Sequence, residues 1–250
     1  MLCNVMNRSS GLALLALTLL SAAAMGQTTP YQSAAAAAAG TRMDAMCPDA
    51  MREAEELQAR RKPTPLVAKP TRPALRENLL RMAKLDQDAR AFLLASGWHL
   101  DTESPEAHWM QTVDTANLKR LKHIVDQDGF PTAAMVGLDG VDAAWLLAIH
   151  ANNGDFQQKV LMLTAEHVRR GEVSADQVAM LTDDWLTARG RPQRYATNFD
   201  MRDGKVTFGP IEDVANVDRR RRAAGLGTLA NYACLMRAMY GTPDAGAARP

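Results

Sequence analysis

The sequence predicts a mainly α fold: a compact helical domain with one small β-hairpin, preceded by a signal peptide and a flexible linker. Three observations carry that prediction. Apolar residues recur at three- and four-residue spacing over most of the chain after Ala74. Alternation with period two is confined to one stretch that runs up to Asp203-Gly204. Aromatic residues make up only 5% while methionine is frequent at 14, so packing leans on Leu, Ala, Val and Met, a bias toward helix.

Residues 1–26 read as the signal peptide. Arg8 supplies the positive start, Gly11 to Ala24 is apolar, and Ala24-Met25-Gly26 places small residues before a cut at Gln27. The apolar run is shorter than the ~20 residues a membrane span needs, and a retained N-terminal anchor is the alternative. The expected location is exported, periplasmic or secreted, with no transmembrane span after cleavage. The chain carries 29 Lys+Arg against 28 Asp+Glu, and losing Arg8 balances it at 28 each. A neutral exported chain has no electrostatic footprint for nucleic acid. Cys3 leaves with the leader. Cys47 and Cys234 are then candidates for one disulfide joining the first mature helix to the last, against two unpaired thiols.

Residues 27–46 contain Ala34 to Ala39 and no amphipathic pattern, and are expected to be a flexible tether. A charged helix follows over 47–61, then a Pro-rich linker over 62–73 with Pro63, Pro65, Pro70 and Pro73. The helical domain is expected over 74–241 and a disordered tail over 242–250. In its first helix Leu79, Met82, Leu85, Ala89 and Leu93 form the apolar stripe, with Asp86, Gln87 and Arg90 beside it. Trp98, His99, His108 and Trp109 fall in a loop, and Asp114 to Asp128 form the second helix, ended by Gly129-Phe130-Pro131.

Val141 to Leu163 reads as the central pair of helices, joined by Asn152-Asn153-Gly154 with His150 at the bend. Phe156, Val160, Leu163 and Val168 make the apolar face of the second rod. Asp155 with Gln158, and Ser174 with Gln177, have the spacing of helix caps. Val178, Leu181, Trp185 and Leu186 point inward on the next helix, leaving Asp183 and Asp184 on a solvated face. Gln193, Tyr195, Thr197 and Phe199 share one face of a strand, and Lys205 to Phe208 returns after the Asp203-Gly204 turn. Helices over Asp213–Ala224 and Thr228–Tyr240 close the fold.

The blocks Leu79-x2-Met82-x3-Asp86-Gln87-x2-Arg90, Asp114-x2-Asn117-x2-Arg120-Leu121-Lys122, Gly129-Phe130-Pro131 and His150-Ala151 with Phe156-Gln157 follow one another. So do Leu181-Thr182-Asp183, Gly190-x2-Gln193-x-Tyr195-x-Thr197, Pro210-Ile211-x-Asp213, Val217-Asp218-x-Arg220 and Gly225-Leu226. In that order, over about residues 74–241, they resemble a bacterial domain-of-unknown-function family. The chain departs from the family pattern at Phe130 (Trp usual), Asp184 (Arg usual), Ala196 (Gly usual) and Asn198 (Gln usual). The resemblance implies a fold and a set of positions to examine, and no activity.

His150 is the leading chemical candidate, a histidine on the Leu146–Leu147 face at a helix C-terminus, placed to act as a general base or to serve as a bonded core histidine. Asp183 or Asp213 would be its orienting or acidic partner, completing the candidate catalytic set. Asp86, Arg90, Gln157, Gln193, Tyr195, Thr197 and Arg220 form the candidate ligand-binding set. Residues 193–197 need partners for their polar atoms, supplied by Asp183, Asp213 and Arg220 as a rigidifying network or a pocket wall. The run Arg219 to Arg222 reads as a solvated face with local ion pairs. None of His99, His108, His123, His150 and His167 is spaced for a local metal site, no nucleotide or serine-hydrolase motif occurs, and no cofactor is expected. Two functions remain open: a helical module binding a small molecule, a cell-envelope component or a protein, and a hydrolase- or transferase-like enzyme.

Overall fold

The computed structural model describes residues 40–60, 69–95, 103–202 and 205–240. The expected leader, residues 61–68, Trp98, His99, the Asp203-Gly204 turn and the C-terminal tail lie outside the described residues. Two compact units emerge, one built from 69–191 and the other from 40–60 together with 192–240. Both are helical, apart from one antiparallel pair of strands in the second.

In the first unit, α2 (Pro73–Ala95), α3 (Pro105–Asp128), α4 (Ala133–Ile149), α5 (Gly154–Leu163), α6 (Ala165–Arg169) and α7 (Ala175–Thr187) follow in order. The centre is α4, which packs against α2, α3, α5 and α7. Val141 and every residue from Ala143 to Ile149 are buried. A helix apolar all round must be enclosed, which is why the others are arranged about it. The helix is kinked at Gly137, whose φ of +75° suits glycine. A Cβ there would lie 2.8 Å from the Asp139 carboxylate, which is held by Arg76 and by the Gly140 N–H. The helix proper therefore restarts at Leu138, ahead of the Val141 that periodicity picked out.

Several expectations are corrected by the way the helices turn. α3 begins at Pro105, capped by Ser104, so His108 and Trp109 are helical rather than in a loop. Between α4 and α5 the left-handed residue is Asn152 (φ +44°), and Asn153 caps α5 by accepting from the Phe156 N–H at 2.9 Å. Asp155 instead meets Arg189 on the surface. The second rod breaks at Thr164, so Leu163 and Val168 stay partly exposed while Thr164 and His167 are buried. The Ser174–Gln177 cap is present: the Ser174 N–H donates to Gln177 Oε1 at 2.8 Å.

The second unit contains α1 (Pro48–Ala59), β1 (Phe199–Arg202), β2 (Lys205–Phe208), a 3-10 turn (Val214–Asn216), α8 (Val217–Ala223) and α9 (Leu229–Tyr240). Residues 40–46, placed by sequence in a tether, are helical here. The Cys47–Cys234 disulfide joins the start of α1 to α9. The strand begins at Phe199, later than alternation suggested, and pairs Phe199 with Phe208 and Arg202 with Lys205. Upstream, Gln193 makes an isolated bridge to Ile211, and its amide closes on both backbone groups of Asn198 (2.8 and 3.0 Å). That side chain replaces a ladder, so 193–198 is a bent loop rather than a strand.

Ala196 sits in this loop, fully buried, with φ +54°. Left-handed backbone costs a non-glycine residue roughly 1–2 kcal/mol, partly offset because glycine frees the unfolded chain. We expect Ala196→Gly to raise stability by about 0.5–1 kcal/mol, read as an upward shift in the urea midpoint at unchanged slope. A lowered midpoint would show that the alanine methyl contributes more by packing than it costs in strain.

Candidate functional site

The buried stripe of α2 is not the one drawn from its leucines. Leu79, Met82, Ala83, Asp86, Ala89, Arg90 and Leu93 are buried, whereas Leu85 is 46% exposed. A 3.6-residue period from Leu79 reaches position 86, so a carboxylate and a guanidinium occupy core positions. Burying such groups is costly unless they are paired and hydrogen-bonded.

Asp86, with no exposed surface, accepts from three side chains. His150 Nδ1 lies 2.8 Å from one carboxylate oxygen and 3.0 Å from the other. Arg90 Nη1 donates at 2.9 Å, one helical turn on, and Gln87 Nε2 donates at 2.8 Å. Arg90 also grips Asp114 on α3 as a fork, Nη1 at 3.0 Å and Nη2 at 3.1 Å. His150 is brought to the cluster as the residue ending α4, and it is 4% exposed. One ion-pair chain thus ties α2, α3 and α4 together.

Burial alone would raise the Asp86 carboxyl. The Arg90 guanidinium and the His150 ring, with hydrogen bonds from His150 and Gln87, outweigh it and hold the carboxyl below the ordinary carboxylate range. At Asp114 burial wins over the attraction of Arg90, and the carboxyl is pushed up. With Asp86 ionised, His150 Nδ1 carries the proton it donates, and Nε2 is the free position of the ring. Nε2 is buried and meets no hydrogen-bond partner among the described residues. Gln157, 2% exposed, donates through Nε2 to the carbonyl of Ile149 at 3.1 Å, and its Oε1 is likewise buried without a partner. Two buried polar atoms without partners therefore belong to side chains at the α4–α5 bend, His150 ending α4 and Gln157 reaching from α5 to the Ile149 carbonyl. A carboxylate–imidazole pair with an open Nε2 can accept a hydrogen bond or a proton.

Of the residues singled out by sequence, Asp86, Arg90, Gln157, His150 and Asp183 lie in the first unit. The acid against His150 is Asp86, which sequence placed in the ligand-binding set. Asp183 and Asp184 are buried at 0% and 3%, not on a solvated face. The covered side of α7 holds the expected Leu181 and Leu186 together with Asp176, Ala179, Met180, Asp183 and Asp184, whereas Val178 and Trp185 are only partly buried. Trp185 lies on the flank beneath the guanidinium groups of Arg189 and Arg191.

Gln193, Tyr195, Thr197, Asp213 and Arg220 lie in the second unit and belong to a network of captured carbonyls. Arg220 donates to the carbonyls of Arg194 at 2.7 Å, Asp213 at 3.1 Å and Glu212. Arg221, 1% exposed, bonds the carbonyls of Tyr195, Ala196 and Gly227 and stacks on Tyr232, so the arginine run is not simply a solvated face. The Tyr232 hydroxyl donates to the carbonyl of Thr197 at 2.7 Å. Asp213 is exposed in a left-handed conformation (φ +42°) and pairs with Arg220 at 3.7 Å. Sequence reasoning missed Asp114 and Arg221 as structural partners. Asp114 headed a family-like block and was the available signal, while nothing distinguished Arg221 from its neighbours. Among the described residues no group of three or more His, Cys, Asp or Glu is placed to hold a metal ion.

The two acids of the cluster titrate in opposite senses. Asp86 is depressed when folded, so its contribution is full above the unfolded value near ~4 and lost as pH falls through the folded value. Asp114 is raised, so its contribution is present at low pH and lost as pH rises through its folded value. At neutral pH, Asp86→Asn should destabilise by about 3–5 kcal/mol, the cost of breaking a buried pair, and Asp114→Asn by less. Urea unfolding of both variants and the parent across acid to neutral pH checks this. The Asp86→Asn deficit should shrink below pH ~4, and Asp114→Asn should improve relative to the parent as pH rises. Parallel curves for all three proteins would contradict both assignments.

Comparison with known proteins adds a family but no activity. No curated protein and no solved structure matches the chain. Residues 73–243 match a family described as "Family of unknown function (DUF6624)", a span that contains the Asp86–His150 cluster and the Arg220–Arg221 network. The chain is therefore a member of the DUF6624 family.

Proposed function

We propose that this protein is an exported helical binding domain that recognises a polar ligand at His150. The observation that carries the reading is the buried, unpartnered His150 Nε2 on a ring whose other nitrogen is fixed by Asp86. A buried polar atom left unsatisfied costs roughly 1–3 kcal/mol, which a ligand hydroxyl or amine, or a water it displaces, would recover. Gln157 Oε1 supplies a second acceptor, and Arg90 with Asp114 holds the base of the site. Asp183 stays as a proposed contributor from the family-like blocks, and Gln193, Tyr195, Thr197, Asp213 and Arg220 stay proposed as ligand contacts within the second unit. Export is supported by the leader-like start and by the Cys47–Cys234 disulfide, which fits an oxidising compartment. Among the described residues no helix is long and apolar enough to cross a membrane.

The second reading, a hydrolase- or transferase-like enzyme, is favoured by one feature: the carboxylate on Nδ1 fixes the orientation of the ring, as a general base requires. In that reading His150 is the base and Asp86 its orienting partner, taking the place first considered for Asp183 or Asp213.

The test is a thermal-shift screen of the mature chain against small polar molecules and cell-wall fragments. A ligand at 100 times its Kd adds about 2.7 kcal/mol to apparent stability. The shift should vanish in His150→Ala while that variant still melts cooperatively. A shift kept in His150→Ala would place the site elsewhere. Turnover of the bound compound, lost in Asp86→Asn, would select the enzyme reading. For export, the N-terminus of protein recovered from the periplasm or medium should be Gln27, and a chain found only in the cytoplasm would remove that half of the proposal.

A further inference from the structure

The family match begins at residue 73, yet residues 40–59 are folded onto the last helix of the matched region. On this segment Met43, Cys47 and Ala50 are buried and Glu53 is half-buried, so the two helical stretches that meet at Cys47 each cover one side. The opposite side is charged and exposed, with Asp49, Arg52, Glu56 and Arg60 paired among themselves. An isolated helix of the 12 residues of α1 is marginal in water, so its order comes from docking on α9.

The docking is fastened at three points along α9. At its N-terminal end one Glu53 oxygen accepts from the Thr228 N–H at 2.9 Å and from Asn231 Nδ2 at 2.8 Å. Asp218 takes the next backbone N–H, that of Leu229, at 2.7 Å. At the C-terminal end Arg42 Nε donates to the carbonyl of Ala238 at 2.9 Å. Between them is the Cys47–Cys234 bond. An acid at the positive end of a helix and a cation at the negative end both complement its dipole. The receiving surface is shaped for this: a Cβ on Gly227 would lie 2.6 Å from the Glu53 carboxylate.

We propose that the face of α9 in this family domain is a helix-docking surface, and that residues 40–59 are its intramolecular occupant, latched by the Cys47–Cys234 disulfide. A dithiol reductant opens the latch: it gives two electrons and two protons to the S–S bond, yielding two thiols and closing its own disulfide. Glu53, Arg42 and the buried Met43 and Ala50 then hold the segment. Because the strap lies outside the family match, it can leave while the remainder stays folded.

To test this, a site for a sequence-specific protease is placed within residues 62–68 of the full mature chain and cut. On a non-reducing gel the cut, oxidised protein should stay a single species. After dithiothreitol the strap should still co-elute with the remainder at micromolar concentration, and its retention should fall roughly tenfold or more in Glu53→Gln or Gly227→Ala. The remainder should keep a cooperative melt once the strap has gone. The proposal is overturned if the remainder unfolds as the strap leaves, since the segment is then core. It is also overturned if the reduced parent strap is lost at once, or if neither variant changes its retention.

Discussion

A carboxylate with no access to water has to be neutralised by the protein around it, and at Asp86 that requirement decides how three helices meet. The cost of burying the ion is several kcal/mol, more than any one hydrogen bond returns. It is met by donors from two helices: Gln87 and Arg90 on α2 itself, and His150 at the end of α4. Arg90 then needs a second anion to satisfy its fork, and Asp114 on α3 supplies it. A one-residue slip of any of these helices would strand a charge in the core. The apolar packing around α4 tolerates exchange among similar side chains, whereas the ion-pair chain does not. The packing gives the unit its stability, and the chain of charges gives it its register.

The same chain leaves His150 in an unusual position. Its ring is locked from one side, while Nε2 points away from the carboxylate and finds nothing among the described residues. A histidine whose only task was to neutralise Asp86 would be expected to satisfy both nitrogens, as buried polar groups in folded proteins usually do. His167 is buried as well, beside the edge-on ring of Phe130; its Nδ1 lies 2.8 Å from Glu172 yet likewise meets no hydrogen-bond partner among the described residues, and burial lowers its basicity.

How much of this was legible in the sequence depends on which physical signal carried it. The enclosed helix was visible because Val141 to Ile149 is nearly continuous hydrophobe, and no other arrangement buries it. The disulfide was visible because a leader-like start and two remaining cysteines leave one pairing. Site residues were harder to read because periodicity was drawn through apolar side chains alone. On α2 this favoured Leu85, now exposed, over Asp86; on α7 it favoured Val178 over Asp183. In both helices the true inner stripe includes acids, and hydrophobicity cannot register a charge buried with its partner. The order of family-like blocks marked Asp86, Arg90, Asp114 and His150 without revealing that they touch, since contacts between residues 64 positions apart leave no trace in local spacing.

The second unit solves a related problem with different means. Residues 194–198 form a bent loop outside any strand, so their carbonyls would face the interior unpaired. Gln193 takes both backbone groups of Asn198, Arg221 takes two carbonyls, and Tyr232 takes another. Side chains thus do what a sheet would do, and this frees the loop from strand geometry and allows the left-handed turn at Ala196. Such a segment is fixed by distant residues rather than by its own propensity. Alternation predicted a strand there, but Ala196 and Asn198 are buried along with Gln193 and Thr197, and the hydrogen bonds that would define a strand are made by an arginine, a glutamine and a tyrosine.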